Sequence, residues 1–144
     1  MSSNKAWLIA GTIPIPEFSL HDGVWSIEPE NPSLLHCLDK TVPVSRGTAA
    51  LLGAACLCCE VLGVNMPSAV LAGDTGRGRG SRAVYAHLTK SMSERMEQGI
   101  TFHYLMPDVK WHNRLLESVR RCPKPPLLVA DAGFMYVAKM SGFA

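Results

Sequence analysis

Residues 68–81, with the sequence SAVLAGDTGRGRGS, carry the clearest indication of the fold. This stretch opens with five residues typical of a short buried strand, and four glycines follow within residues 73–80. Residues 81–98 then place apolar side chains, including Val84 and Leu88, on one face of a helix. A strand, a glycine-rich turn and a helix in this order predict the first part of a βαβ unit.

Similar units surround this stretch on both sides. Further strands are predicted at residues 6–13, 100–106 and 127–130. Further helices are predicted at residues 48–62, 110–121 and 132–140. Alternation of strands and helices through short connections is typical of a parallel sheet with helices on both faces. The predicted fold class is therefore α/β, with a three-layer parallel sheet.

The first third of the chain has a different character. Residues 14–43 contain five prolines and predict an irregular stretch, in which residues 24–27 alternate like a short strand or hairpin arm. We therefore divide a single α/β domain, or the N-terminal part of one, into two regions. Residues 1–46 form a strand plus an irregular cover, and residues 47–144 form the βαβ core.

The bulk composition excludes several classes of protein. The 144 residues are 47% hydrophobic and 18% charged, and the net charge is +2. So small a charge argues against nucleic acid and anionic membrane surfaces as partners. The uncharged run at residues 48–59 is too short to span a membrane. The odd number of five cysteines, three of them crowded at Cys56, Cys58 and Cys59, favours a reducing, cytoplasmic compartment.

The glycine-rich turn is the leading candidate for a ligand site. Strand-to-helix turns of parallel sheets hold ligands, and glycines let main-chain N–H groups approach an anion. Arg77, Arg79 and Arg82 add positive charge, and the helix that follows adds the positive end of its dipole. The alternative to a ligand site is a flexible, solvated turn without a binding role. The spacing fits neither the P-loop nor the dinucleotide-binding pattern.

The residues predicted to bind a phosphate or substrate come mainly from this turn. They are Gly73, Asp74, Gly76, Arg77, Gly78, Arg79 and Gly80, joined by Ala49 and Asp131.

Two acidic residues and the histidines leave alternatives open. Asp74 contacts the ligand or, with somewhat more weight, pairs with Arg77 or Arg79. Asp131 follows a strand, where it holds Mg²⁺ through water or a ligand hydroxyl, or caps the next helix. His103 and His112 could line the same edge, although a structural role is favoured. No metal-ligand set is predicted, because the crowded cysteines fit core packing better.

Three segments together resemble a known family. They are GTAALLGAACLCCEVLG at residues 47–63, VLAGDTGRGRG at residues 70–80 and PPLLVADAGFM at residues 125–135. Their order and spacing resemble the ribokinase-like fold, and within it the ADP- or ATP-dependent NAD(P)H-hydrate dehydratases, which are carbohydrate kinase-like. The chain departs from that family at Asp74 and Thr75, where the family has proline and glycine, and at Gly133, where it has an acidic residue.

The resemblance implies a function and its cofactors. It implies a lyase that binds a phosphorylated or nucleotide-derived substrate on residues 73–80, with Ala49 leaving space for it, and that uses ADP or ATP with Mg²⁺. Phosphoryl transfer to a sugar-like alcohol and a non-catalytic phosphate-binding module are the alternatives.

The same resemblance limits what can be assigned. The family's catalytic aspartate lies in a Gly-Ser-Gly-Asp or Gly-Thr-Gly-Asp turn that this chain lacks, so its catalytic residues are unassigned. The chain then corresponds to the N-terminal part of such an enzyme. It is expected to form a homo-oligomer or to be completed by a C-terminal half.

Overall fold

The computed structural model describes residues 6–141. The strands are β1 Trp7–Ile13, β2 His21–Val24, β3 Ser26–Glu28, β4 Asn31–Cys37, β5 Lys40–Pro43, β6 Ser68–Gly73, β7 Gly99–His103 and β8 Leu127–Ala130. The helices are α1 Thr48–Leu62, α2 Arg79–Ser91, α3 Val109–Arg120 and α4 Ala132–Ser141. Within the described range, no helix has the length and apolar character needed to cross a membrane.

The main sheet has five strands in the order β2-β6-β1-β7-β8. Strands β6, β1, β7 and β8 run parallel, whereas β2 pairs antiparallel with β6. The prediction of an α/β fold is confirmed, but the sheet is mixed and not purely parallel as predicted. Strand β2 lies next to β6 because the chain doubles back after β1 before it enters α1.

The region predicted to be irregular is largely made of strands. Within residues 14–43 lie β2 and a separate antiparallel sheet of order β3-β4-β5. Their prolines sit where a missing N–H does little harm, with Pro32 near the start of β4 and Pro43 at the end of β5. Short strands with few buried positions give a weak alternation, so proline content misled the prediction for this region.

Two hydrophobic cores lie on opposite faces of the main sheet. Leu8 and Ala10 of β1 belong to the core that also contains side chains of α2, α3 and α4. Ile9 and Ile13 point the other way, into a core shared with α1 and the small sheet, where Trp25 is fully buried. Alternate residues of one strand therefore bury opposite faces of the sheet.

The helix predictions differ in quality. The bounds predicted for α1 are confirmed, and Gly63 ends it in the left-handed conformation with φ of 63°. The helix predicted over residues 81–98 is wrong at both ends, since α2 begins at Arg79 and gives way after Ser91 to a 3-10 turn. Arg95 then leaves the helical path and bonds Asp22 and Glu97, which ties this segment to strand β2.

Candidate functional site

A cavity of about 730 Å³ opens at the carboxyl ends of the parallel strands. Its polar lining includes Thr12 near the end of β1, Asp74 after β6, Tyr104 after β7 and Asp131 after β8. Arg46, just before α1, adds a positive charge. This edge of a parallel sheet is where α/β proteins bind ligands. Three of the residues predicted for the site, Asp74, Gly76 and Asp131, line this cavity.

The glycine-rich turn wraps around the carboxylate of Asp74. Its Oδ1 accepts the main-chain N–H groups of Gly76, Arg77 and Gly78 at 2.9, 2.9 and 3.1 Å. Its Oδ2 accepts the N–H of Ser81 at 3.1 Å and the Ser81 hydroxyl at 3.3 Å. Five donors therefore converge on two oxygens, which is one more than the roughly four lone-pair sites of a carboxylate.

These bonds fix the charge state of Asp74. Partial burial raises the pKa of its carboxyl, but four main-chain hydrogen bonds outweigh burial and hold the pKa below its usual range. The carboxylate of Asp74 therefore binds the main-chain N–H groups of Gly76 and Gly78, which the sequence analysis predicted to bind phosphate. Within the described part of the chain, no ion pair joins Asp74 to Arg77 or Arg79, so that alternative was wrong.

The glycines of the turn are explained by its backbone path. Gly76 and Gly78 have φ of 92° and 78°, which disfavour any side chain. A Cβ on Gly80 would overlap the Gly73 carbonyl oxygen, and one on Gly73 would overlap the carbonyl oxygen of Ile15. The positive φ favours glycine at Gly76 and Gly78, and close packing requires it at Gly73 and Gly80, whatever ligand the cavity takes.

The remaining residues predicted for the site are divided. Arg77 and Arg79 are exposed and do not line the cavity. Ala49 lies on the buried face of α1, with Leu52 and Cys56, and does not line the cavity either. Ala49 thus fills space against the sheet in this structure.

Asp131 has one of the two roles that the sequence left open, that of a helix cap. Its Oδ1 accepts the N–H of Phe134 at 3.1 Å, so it caps α4 as one alternative predicted. Its Oδ2 accepts the N–H of Tyr104 at 2.8 Å, and the residue also lines the cavity. Each oxygen accepts one bond within the protein, which leaves acceptor capacity that Asp74 lacks.

Tyr104 was missed by the sequence analysis. Its backbone is left-handed, with φ of 52°, its N–H is bound by Asp131, and its carbonyl accepts a hydrogen bond from the Thr12 hydroxyl. Its ring lies against Gly47, where a Cβ would overlap ring atoms. These contacts form because β1, β7 and β8 are neighbours in the sheet although they are far apart in the sequence. No local sequence pattern could therefore have revealed them.

Arg46 was also missed. It is exposed, it precedes the glycine that begins α1, and it makes no ion pair with any acidic residue in the described range. The sequence showed only an arginine in front of a predicted helix. It did not show that Arg46 lines the same cavity as the residues that follow strands β7 and β8.

A buried polar pair contacts the cavity lining at Met106. The Tyr85 hydroxyl donates to the Met106 carbonyl at 3.1 Å and bonds Nε2 of His112 at 2.9 Å. Burial raises the pKa of Tyr85, and burial lowers the pKa of His112 against a smaller opposing effect of Asp108. Both groups are therefore neutral near pH 7, which fits the structural role favoured for His112.

His103 has a comparable supporting place. Its Nδ1 lies 3.0 Å from the hydroxyl of Thr48 at the start of α1. It thereby links the end of β7 to α1, and it does not line the cavity.

The described residues fit a metal only in part. They contain no group of three or more His, Cys, Asp or Glu side chains that could hold an ion. Mg²⁺ usually binds through one or two carboxylates together with substrate phosphates. Asp131 fits such a shared arrangement, whereas the saturated carboxylate of Asp74 does not. The turn also fits no ADP or ATP phosphate while Asp74 holds its amides.

Comparisons with known proteins add no relative. No family model, no curated protein and no solved structure matches the chain significantly.

Proposed function

We propose that this chain binds a phosphorylated small molecule in the cavity at the carboxyl ends of the parallel strands. The observation that carries the proposal is that Arg46 and Asp131, which both lie in the described range and form no ion pair with each other, line the same cavity. Arg46 offers guanidinium donors that suit a phosphate, and Asp131 offers acceptor positions that suit a hydroxyl or amino group of the same ligand. A cavity of about 730 Å³ is within the range of small-molecule sites.

In this proposal, the phosphate binds at Arg46 and not on the glycine-rich turn. The N–H groups of Gly76, Arg77 and Gly78 are bonded to Asp74, and an external anion would have to displace that carboxylate. The turn then acts as a rigid wall of the cavity, since Asp74 and Gly76 both line it.

The proposal extends to a ribokinase-like enzyme with helices on both faces of the sheet. The first proposed reaction is nucleotide-dependent dehydration of NAD(P)H hydrate. The second is phosphoryl transfer to a sugar-like alcohol. Both rest on the resemblance of the three segments between residues 47 and 135, together with ADP or ATP and Mg²⁺ as cofactors. A module that binds the phosphorylated ligand without catalysis is the remaining form.

Two further parts of the proposal concern partners and location. Leu127 and Val129 of the edge strand β8 are 63% and 46% exposed, which supports a covering element such as a second copy or a further protein segment. All five cysteines are free thiols, which supports a reducing, cytoplasmic compartment.

Calorimetric titration with ribose 5-phosphate tests the proposed binding. Arg46→Ala is expected to weaken binding about tenfold or more, as the loss of a charge-assisted hydrogen bond does. Arg120→Ala is the matched control, because it removes the same charge at the far end of α3. Failure of the wild-type protein to bind at millimolar concentration, or equal binding by both variants, would refute the proposal.

A further inference from the structure

Tyr104 is held in an unfavourable backbone conformation from two sides. A left-handed φ such as its 52° is unfavourable for a residue with a side chain. The carboxylate of Asp131 binds its N–H at 2.8 Å, and the hydroxyl of Thr12 donates to its carbonyl. Backbone strain that neighbouring groups enforce tends to occur at functional sites, where it aims a side chain.

The side chain positioned by this backbone is the aromatic ring of Tyr104, which is largely exposed. Its ring rests on Gly47, which is itself left-handed with φ of 63° and leaves no room for a Cβ. The His103 ring lies beside it, with the two ring centres 4.5 Å apart. Tyr104 nevertheless remains 60% exposed and lines the cavity. A large aromatic group is thus fixed in place with much of its surface available.

We propose that Tyr104 stacks on a planar ring of the ligand, so that the cavity takes a phosphorylated molecule carrying an aromatic heterocycle. This inference rests on the proposed phosphate binding at Arg46. Arg46 directly precedes Gly47, on which the Tyr104 ring lies, so the anion site and the ring surface are adjacent. The cavity lining also includes the apolar residues Leu105 and Pro107, which suit a flat ring better than a polyol.

The test compares adenosine 5′-monophosphate with ribose 5-phosphate, which shares the phosphorylated sugar but lacks the ring. In the wild-type protein the nucleotide is expected to bind roughly five- to tenfold more tightly, as stacking on an aromatic side chain provides. Tyr104→Asn is expected to abolish that difference, because it weakens nucleotide binding to about the level of ribose 5-phosphate binding. Tyr104→Phe is expected to retain the difference.

Two controls keep the result interpretable. Asparagine tolerates the left-handed conformation, so Tyr104→Asn is expected to fold and to melt at or above the wild-type temperature. Equal binding of both probes by the wild-type protein, or a preference that survives Tyr104→Asn, overturns the stacking role while ribose 5-phosphate binding at Arg46 stands. Absence of binding by both probes overturns this inference together with the proposed function.

Discussion

The carboxylate of Asp131 accepts the main-chain N–H of Tyr104 at 2.8 Å and so joins the ends of strands β7 and β8. The same side chain caps α4 through Phe134 at 3.1 Å. One residue therefore orders a helix start and an aromatic side chain at the rim of the cavity. Its replacement is expected to affect both stability and the shape of the candidate site.

Asp131→Ala is expected to lower the free energy of unfolding by about 2–3 kcal/mol, because it removes a helix cap and the acceptor of a strained N–H. Urea denaturation measures this loss. Asp108→Ala is the matched control, since Asp108 caps α3 through Trp111 at 3.1 Å and is expected to cost about 1 kcal/mol. Equal losses in the two variants would mean that the bond to Tyr104 contributes nothing.

The bonds around Asp74 predict a stability difference that depends on pH. Asp74→Asn is expected to cost about 2 kcal/mol at pH 7, because the introduced NH₂ group faces the Ser81 donors. The pKa of Asp74 is lowered in the folded state, so its contribution is complete above about pH 3.9, the unfolded value. The contribution disappears as the pH falls through the lower folded pKa.

Urea denaturation of wild type and Asp74→Asn between pH 7 and pH 2 measures that dependence. The gap between their unfolding free energies is expected to stay constant down to about pH 4 and to shrink below it. A gap independent of pH would show that the carboxylate is not held as an anion by the turn.

Gly80 lies inside helix α2, where alanine is intrinsically preferred by about 1 kcal/mol. Gly80→Ala is nevertheless expected to destabilise the protein by about 2–3 kcal/mol, since the new Cβ would overlap the Gly73 carbonyl oxygen. Gly76→Ala has open space and a φ of 92°, so it should cost only about 1–2 kcal/mol. Thermal unfolding monitored by circular dichroism compares them, and a stabilised Gly80→Ala protein would contradict the packing described.

His112 predicts a second pH effect in a different range. Burial lowers the pKa of His112 in the folded state. The contribution of His112 to the free energy of unfolding is therefore fully present above its unfolded pKa of about 6.5. That contribution is lost as the pH falls from there through the lower folded pKa. The wild-type protein should therefore lose stability between pH 7.5 and pH 5. His112→Phe should lose less over the same interval, and an equal loss in urea denaturation would contradict the account.

Local patterns predicted the helices and parallel strands better than the hairpins. Helix α1 has fifteen residues and a glycine stop, and its bounds were predicted correctly. Strand β8 lies between Pro126 and Asp131, and its bounds were also predicted correctly. Strands β2 and β3 have four and three residues with partly exposed side chains, so their alternation is too short to outweigh nearby prolines.

Asp74, Gly76 and Asp131 are the predicted site residues that line the cavity, and the other predicted residues lie outside its lining. Thr12, Arg46 and Tyr104 come from three separate parts of the chain, and the order of the strands brings them together. Asp74 lies in a turn whose composition suits an anion, yet the sequence did not show that its own carboxylate supplies that anion. Side-chain acceptors compete with external ligands for the same N–H groups, and composition alone does not decide between them.

The most direct measurement is an ¹H–¹⁵N correlation spectrum of the full chain titrated with adenosine 5′-monophosphate. Binding in the cavity predicts saturable shifts of the amides of Gly47, Tyr104 and Gly133, with the amides of Ser68 and Arg95 at the opposite end of the sheet unchanged. The amides of Gly76 and Gly78 should keep the positions set by Asp74. Shifts confined to the opposite end, or no saturable shift at millimolar nucleotide, would contradict a phosphorylated ligand in this cavity.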